Sequence, residues 1–84
     1  MTYTVTILRS AQKQLGKLDK RTRNRIASAI YALADNPRPT GCKKLTGRPA
    51  WRIRIGTYRV IYEIQDNELV VLVVTIAHRR EVYR

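Results

Sequence analysis

Three arginines around one tight turn carry most of the chemical content of this 84-residue sequence. Arg52 and Arg54 precede the dipeptide Gly56-Thr57, and Arg59 follows it. If Gly56 and Thr57 are the only turn residues, Ile55 pairs with Tyr58, Arg54 faces Arg59 and Arg52 faces Ile61. Three guanidinium groups then share one exposed sheet face. Like charges directly opposite one another cost a sheet a few tenths to about 1 kcal/mol. An anion between them would offset that cost, and the planar fork of arginine suits bidentate phosphate contacts. The structural alternative is a set of solvated strand residues that suppress edge aggregation, with Glu63 on the same face neutralising one of them. A second group ends the chain. His78-Arg79-Arg80-Glu81-Val82-Tyr83 sets an imidazole, two guanidiniums and a phenol within six residues. Such a segment can move a proton, neutralise phosphate charge and stack on a base.

The flanking residues predict the elements that must hold these groups. Tyr3, Val5 and Ile7 alternate with threonines, the period-two pattern of a half-buried strand. Ser10 is placed to cap a short helix carrying Ala11, Leu15 and Leu18. Asp19 is placed to cap a second, whose apolar stripe is Ile26, Ala27, Ile30, Leu33 and Ala34. Asn36-Pro37 ends it, because proline disfavours helical geometry in the residue before it. Residues 37–49 hold all three prolines and read as a surface loop. Trp51, Ile53 and Ile55 give the next strand, Tyr58, Val60, Tyr62 and Ile64 another, and the nearly continuous apolar run over residues 69–76 a last one. The order is βααβββ, an α+β domain spanning 1–84 in which a helical hairpin covers one face of an antiparallel sheet. On the other face Ile61, Leu72, Val74 and Ile76 form an apolar strip that no helix covers, a seat for a partner or for the chain's own tail.

Composition narrows the function. Seventeen Lys and Arg against six Asp and Glu give a net charge of +11, a surface that attracts polyanions such as nucleic acid. Lys20, Arg21, Arg23 and Arg25 crowd the start of the second helix, where the macrodipole disfavours cations. They read as contacts to a nucleic-acid backbone or as a solvated helix face, and Lys43, Lys44 and Arg80 extend the basic surface. One cysteine, Cys42, excludes an internal disulfide, and with a single histidine it leaves no material for a Cys- or His-rich metal site. No cofactor is expected. The longest apolar run is about half the length of a membrane-spanning helix, and the first residues lack a signal-peptide pattern. The sequence therefore reads as a cytoplasmic protein with no membrane role.

The combination resembles the RelE/ParE superfamily of toxins from toxin–antitoxin pairs, and within it RelE. The stretches that carry the likeness are Leu15-Gly16-Lys17-Leu18-Asp19, Asn36-Pro37-Arg38-Pro39, Lys44-Leu45-Thr46-Gly47, the strand-turn-strand Trp51 to Tyr62, and His78-Arg79-Arg80-Glu81-Val82-Tyr83. The resemblance implies an mRNA interferase acting in the ribosomal A site without metal and silenced by an acidic RelB-like antitoxin. Any operator DNA would be bound only through the antitoxin complex. By the same likeness, Arg52 and Arg54 match basic strand residues, often lysine, and Arg59 matches the arginine that holds the scissile phosphate. Arg79 matches the residue that assists the leaving group, and Tyr83 the tyrosine that orients a base. Arginine stays protonated in water, so it makes a poor general base. Arg52 and Arg54 would then act electrostatically, with His78 as the base or in-line positioning as the main driver. The alternatives are a ParE-like inhibitor of DNA gyrase and a non-catalytic RNA-binding module.

Overall fold

The computed structural model describes residues 2–78, so the expectations placed on Arg79, Arg80 and Tyr83 lie outside the described residues. Strand β1 (Thr4–Ile7) leads into helix α1 (Arg9–Gly16) and helix α2 (Lys20–Ala32). Four strands follow: β2 (Lys43–Lys44), β3 (Trp51–Ile55), β4 (Tyr58–Gln65) and β5 (Val70–His78). They form one sheet in the order β1-β5-β4-β3-β2.

Local chemistry explains most of these boundaries. The Thr22 N–H donates to the Asp19 carboxylate at 3.2 Å, the cap that starts α2. Helix α1 starts differently from the expectation at Ser10. Leu8 occupies its N-cap, where its apolar side chain can make no capping bond, and the Leu8 N–H donates to the Val73 carbonyl at 2.9 Å as the chain leaves β1. The Ser10 hydroxyl donates instead to the Val74 carbonyl at 3.4 Å.

The sheet departs from the expected antiparallel pattern at one edge. Strand β1 runs parallel to β5, from Thr4 beside Val70 to Ile7 beside Val73. These two strands are separated by the rest of the fold, so no tight hairpin dictates their direction. At the other edge, β2 lies inside the segment read as loop and sets Lys43 opposite Arg52. Two lysines show no apolar alternation, so the sequence gives no strand signal there.

Ile26 and Ile30 of α2, Leu33 at its C-cap and Ala11 of α1 pack with Val60, Tyr62, Val71, Val73 and Ile76 of the sheet. Ile76 belongs to this core because the β4–β5 register shifts by one residue. Ile61 lies opposite Thr75, but Tyr62 lies opposite Val73. A β-bulge of this kind reverses which face each later residue occupies. Ile76 therefore leaves the strip expected on the arginine face and Thr75 enters it. Ile61 also departs from the picture of a bare strip, retaining only 8% exposure. Leu72 and Val74 are half-buried.

A polar clamp closes the end of the sheet remote from the β3–β4 turn. Arg38 donates to both Asp66 oxygens, at 3.3 and 2.9 Å, and the Tyr3 hydroxyl donates to Asp66 Oδ1 at 2.6 Å. The Arg38 guanidinium also lies 5.1 Å from the centre of the Trp51 ring. Nearby, the buried Tyr62 hydroxyl donates to the Pro37 carbonyl at 2.7 Å, and burial holds its pKa well above that of a free tyrosine. These contacts pin the chain after α2 against β3, β4 and the turn that follows β4.

Candidate functional site

The β3–β4 turn has the geometry the sequence implies. Gly56 has φ +61°, while Thr57 stays out of the positive-φ region, as a glycine-first II′ hairpin requires. Ile55 pairs with Tyr58, Arg54 with Arg59, and Arg52 with Ile61. With the pairings on either side, two cross-strand rows emerge on the face away from the helices. One runs Lys43, Arg52, Ile61, Thr75, and the next runs Arg54, Arg59, Ala77. Four cations from three strands thus share this face.

Their exposure differs from the expectation of a uniformly solvated face. Arg54 is exposed, but Arg52 and Arg59 each retain only 8% of their surface. Arg59 Nε is withdrawn from water, and all three arginines are engaged in contacts within the protein. The surface around Arg59 is raised on two sides. Leu45, Thr46 and Arg48 rise from the loop after β2, which closes through a 2.8 Å bond from Leu45 N–H to the Ala50 carbonyl. On the opposite side stand Gln14 of α1 and Thr75 of β5. Between them lies an open cleft of about 570 Å³, floored by Arg59, Ile61 and Ala77. The site is therefore a cleft with a buried guanidinium in its floor rather than a flat basic sheet.

His78 is not brought to the arginines. It pairs with Tyr58, so it falls on the helix-facing side, where the two rings meet edge to face at 5.3 Å and 84°. The basic residues of α2 are divided as well. Arg21 and Arg25 line a cleft of about 290 Å³ at the hairpin turn. A Cβ on Gly56 would lie 3.3 Å from Nη1 of Arg25. Arg23 lies elsewhere, in a groove with Val5, Ile7, Leu15 and Tyr31. Lys20 and Lys44 are exposed.

Sequence reasoning missed four polar cleft residues. Arg48 and Thr46 sat in the segment read as loop, where Thr46 counted toward the family likeness but neither was given a site role, and Thr75 reaches this face only through the bulge. Gln14 did leave a signal, being a polar residue three positions after Ala11 and four before Leu18, within the apolar stripe. Among the described residues, no three of His, Cys, Asp and Glu gather as a metal site. No helix among them is long and apolar enough to cross a membrane.

The two-helix hairpin on a mixed five-stranded sheet is the fold of solved RelE-type toxins. Residues 5–83 match the family of the ParE toxin of type II toxin–antitoxin systems. Toxin RelG of Mycobacterium tuberculosis is 31% identical, over 100% of this chain and 99% of that protein. The toxin–antitoxin complex RelBE2 of the same organism superposes with TM-score 0.83 at 28% identity, covering 94% of this chain and 100% of that one. The archaeal RelE–RelB complex from Pyrococcus horikoshii gives 0.84 at 30%, covering 94% and 97%. Isolated E. coli RelE gives 0.79 at 28%, covering 96% and 90%. The chain belongs to the RelE/ParE superfamily of type II toxin–antitoxin toxins.

Proposed function

We propose that this toxin is a ribosome-dependent endoribonuclease that cuts mRNA in the A site. The observation that carries the reading is the Arg54–Arg59 pair, with Arg52 and Lys43 on the same face and an open cleft beside Arg59. In the reaction proposed, a ribose 2′-hydroxyl gives its proton to solvent and its oxygen bonds to the adjacent phosphorus. The bond to the 5′-oxygen breaks, leaving a 2′,3′-cyclic phosphate and a protonated 5′-hydroxyl. Charge builds on the non-bridging oxygens, where fixed guanidiniums lower the barrier without reorganising. Arginine holds charge rather than accepting the proton, and His78 faces away, so positioning of the 2′-oxygen in line carries more of the rate. An open cleft orients a flexible strand poorly, which is why the ribosome is required. Arg79 and Tyr83 are assigned to the leaving group and to base stacking.

The partner proposed is an acidic antitoxin. Two of the similar structures are complexes with RelB-type antitoxins, and the +11 charge favours such a partner. Induction in cells with mapping of transcript 5′ ends tests the activity, followed by single-turnover cutting on programmed ribosomes. In-frame cuts in translated messages, relieved by antitoxin, are expected. Intact transcripts under full growth arrest would refute the reading.

The match to the ParE family favours a second reading, inhibition of DNA gyrase. Trapped gyrase–DNA cleavage complexes with intact messages would establish it instead.

A further inference from the structure

We infer that Gln14 is a substrate-binding residue that donates a hydrogen bond to an acceptor oxygen of the RNA. This rests on the endoribonuclease reading. Strand β1 ends its pairing with β5 at Val73, so among the described residues the next part of the β5 edge has no strand neighbour on that side. Helix α1 supplies one. The Ile76 N–H donates to Gln14 Oε1 at 2.8 Å.

That bond fixes the amide. A backbone N–H needs an acceptor, so the carbonyl end of Gln14 must face β5, and its NH2 end is the opposite one. Gln14 also lines the cleft that holds Arg59 and Thr75. Its Nε2 makes no hydrogen bond to another described residue. A half-buried amide on a cleft wall, with its acceptor committed to Ile76 and its donors uncommitted to the described residues, selects oxygens, not other donors. On RNA those are base keto groups and non-bridging phosphate oxygens. The sheet edge thus orients a recognition group much as a second residue orients a catalytic one.

The test compares the parent, Gln14→Glu and Gln14→Met in single-turnover cutting on programmed ribosomes. Messages carry, one position at a time, a base lacking its keto group or a methylphosphonate linkage. The parent is expected to slow roughly three- to tenfold at the position Gln14 contacts if the acceptor is a neutral keto group, and about tenfold or more if it is a charged phosphate oxygen. Both variants should be indifferent to that change. Loss of discrimination toward the base analogue assigns a keto group, and toward the methylphosphonate a phosphate oxygen. Gln14→Glu retains the acceptor for Ile76 and should melt near the parent. It keeps the test valid if Gln14→Met, which strands that N–H, melts too low to assay. A purely structural Gln14 would slow all messages equally and leave the parent's discrimination in place, which would overturn the inference. A parent that cuts no message would instead sink the endoribonuclease reading itself.

Discussion

Arg54 and Arg59 are direct cross-strand partners, yet Arg54 is exposed while Arg59 retains 8% of its surface. Their alanine variants should therefore part company in stability. Arg54→Ala relieves the repulsion between two facing cations but also gives up the contact Arg54 makes, with no buried surface lost, so its stability should stay within about 0.5 kcal/mol of the parent. Arg59→Ala deletes a packed aliphatic stem and should cost roughly 1–2 kcal/mol. Both should cut at least about tenfold more slowly, since a charge-assisted phosphate contact contributes about 1.5–3 kcal/mol. Thermal melts paired with cleavage rates on programmed ribosomes check this. An Arg59→Ala protein that is folded at the assay temperature and fully active would remove Arg59 from the site.

The register of that pair was legible because a two-residue turn leaves only one way to align Arg52, Arg54 and Arg59 with Ile61. The Asp19 cap and the Ile26, Ile30 and Leu33 stripe were legible for similarly local reasons. Facing and depth were not. In β5 every residue near Val74 is apolar or β-branched, so no alternation marks the bulge that turns Ile76 inward. The burial of Arg52 and Arg59 depends on the relief around them. Part of that relief is a loop whose Arg48 and Thr46 carry no periodic signal. Nor could the sequence show that His78 follows Tyr58 onto the opposite face, since that also depends on the shifted register.

Asp66 should give the protein an acid limb. Hydrogen bonds from Arg38 and then Tyr3 hold its carboxyl below the usual carboxylate range, and the Thr22 contacts do the same for Asp19. A depressed folded pKa means the stabilisation is complete above the unfolded value of about 3.9 and is lost as pH falls through the folded one. Asp66→Asn should melt below the parent at neutral pH. The gap should narrow as pH drops below about 4, while Asp19 leaves the variant a shallower acid limb of its own. A constant gap from pH 7 to pH 2 would show that the clamp does not depend on the carboxylate charge.

Gly56→Ala tests whether the turn sets the arginine geometry. An added Cβ meets two costs, a positive φ of 61° and Arg25 Nη1 at 3.3 Å. The backbone cost is about 1 kcal/mol or more, while Arg25 can swing away. The melt should fall accordingly. Arg25→Ala in the same background should recover little of it, because the backbone term dominates. Full recovery would mean that the side-chain clash is the larger effect.

Lys43 is the most exposed cation of the row that also holds Arg52, and it lies on the edge strand. An exposed lysine on a two-residue strand contributes little to stability, so Lys43→Ala should melt within about 0.5 kcal/mol of the parent. Its effect should appear in the salt dependence of RNA binding. Each phosphate neutralised on a single strand contributes about 0.7 to the slope of log affinity against log salt. Lys43→Ala should lose about that much slope, and Lys44→Ala should lose less. In antiparallel pairing Lys44 stands opposite Trp51, so it projects from the face away from the arginines. Titrating a short non-cleavable RNA at several salt concentrations measures both. Equal slopes for the two variants would mean that RNA follows the sheet edge rather than the arginine face.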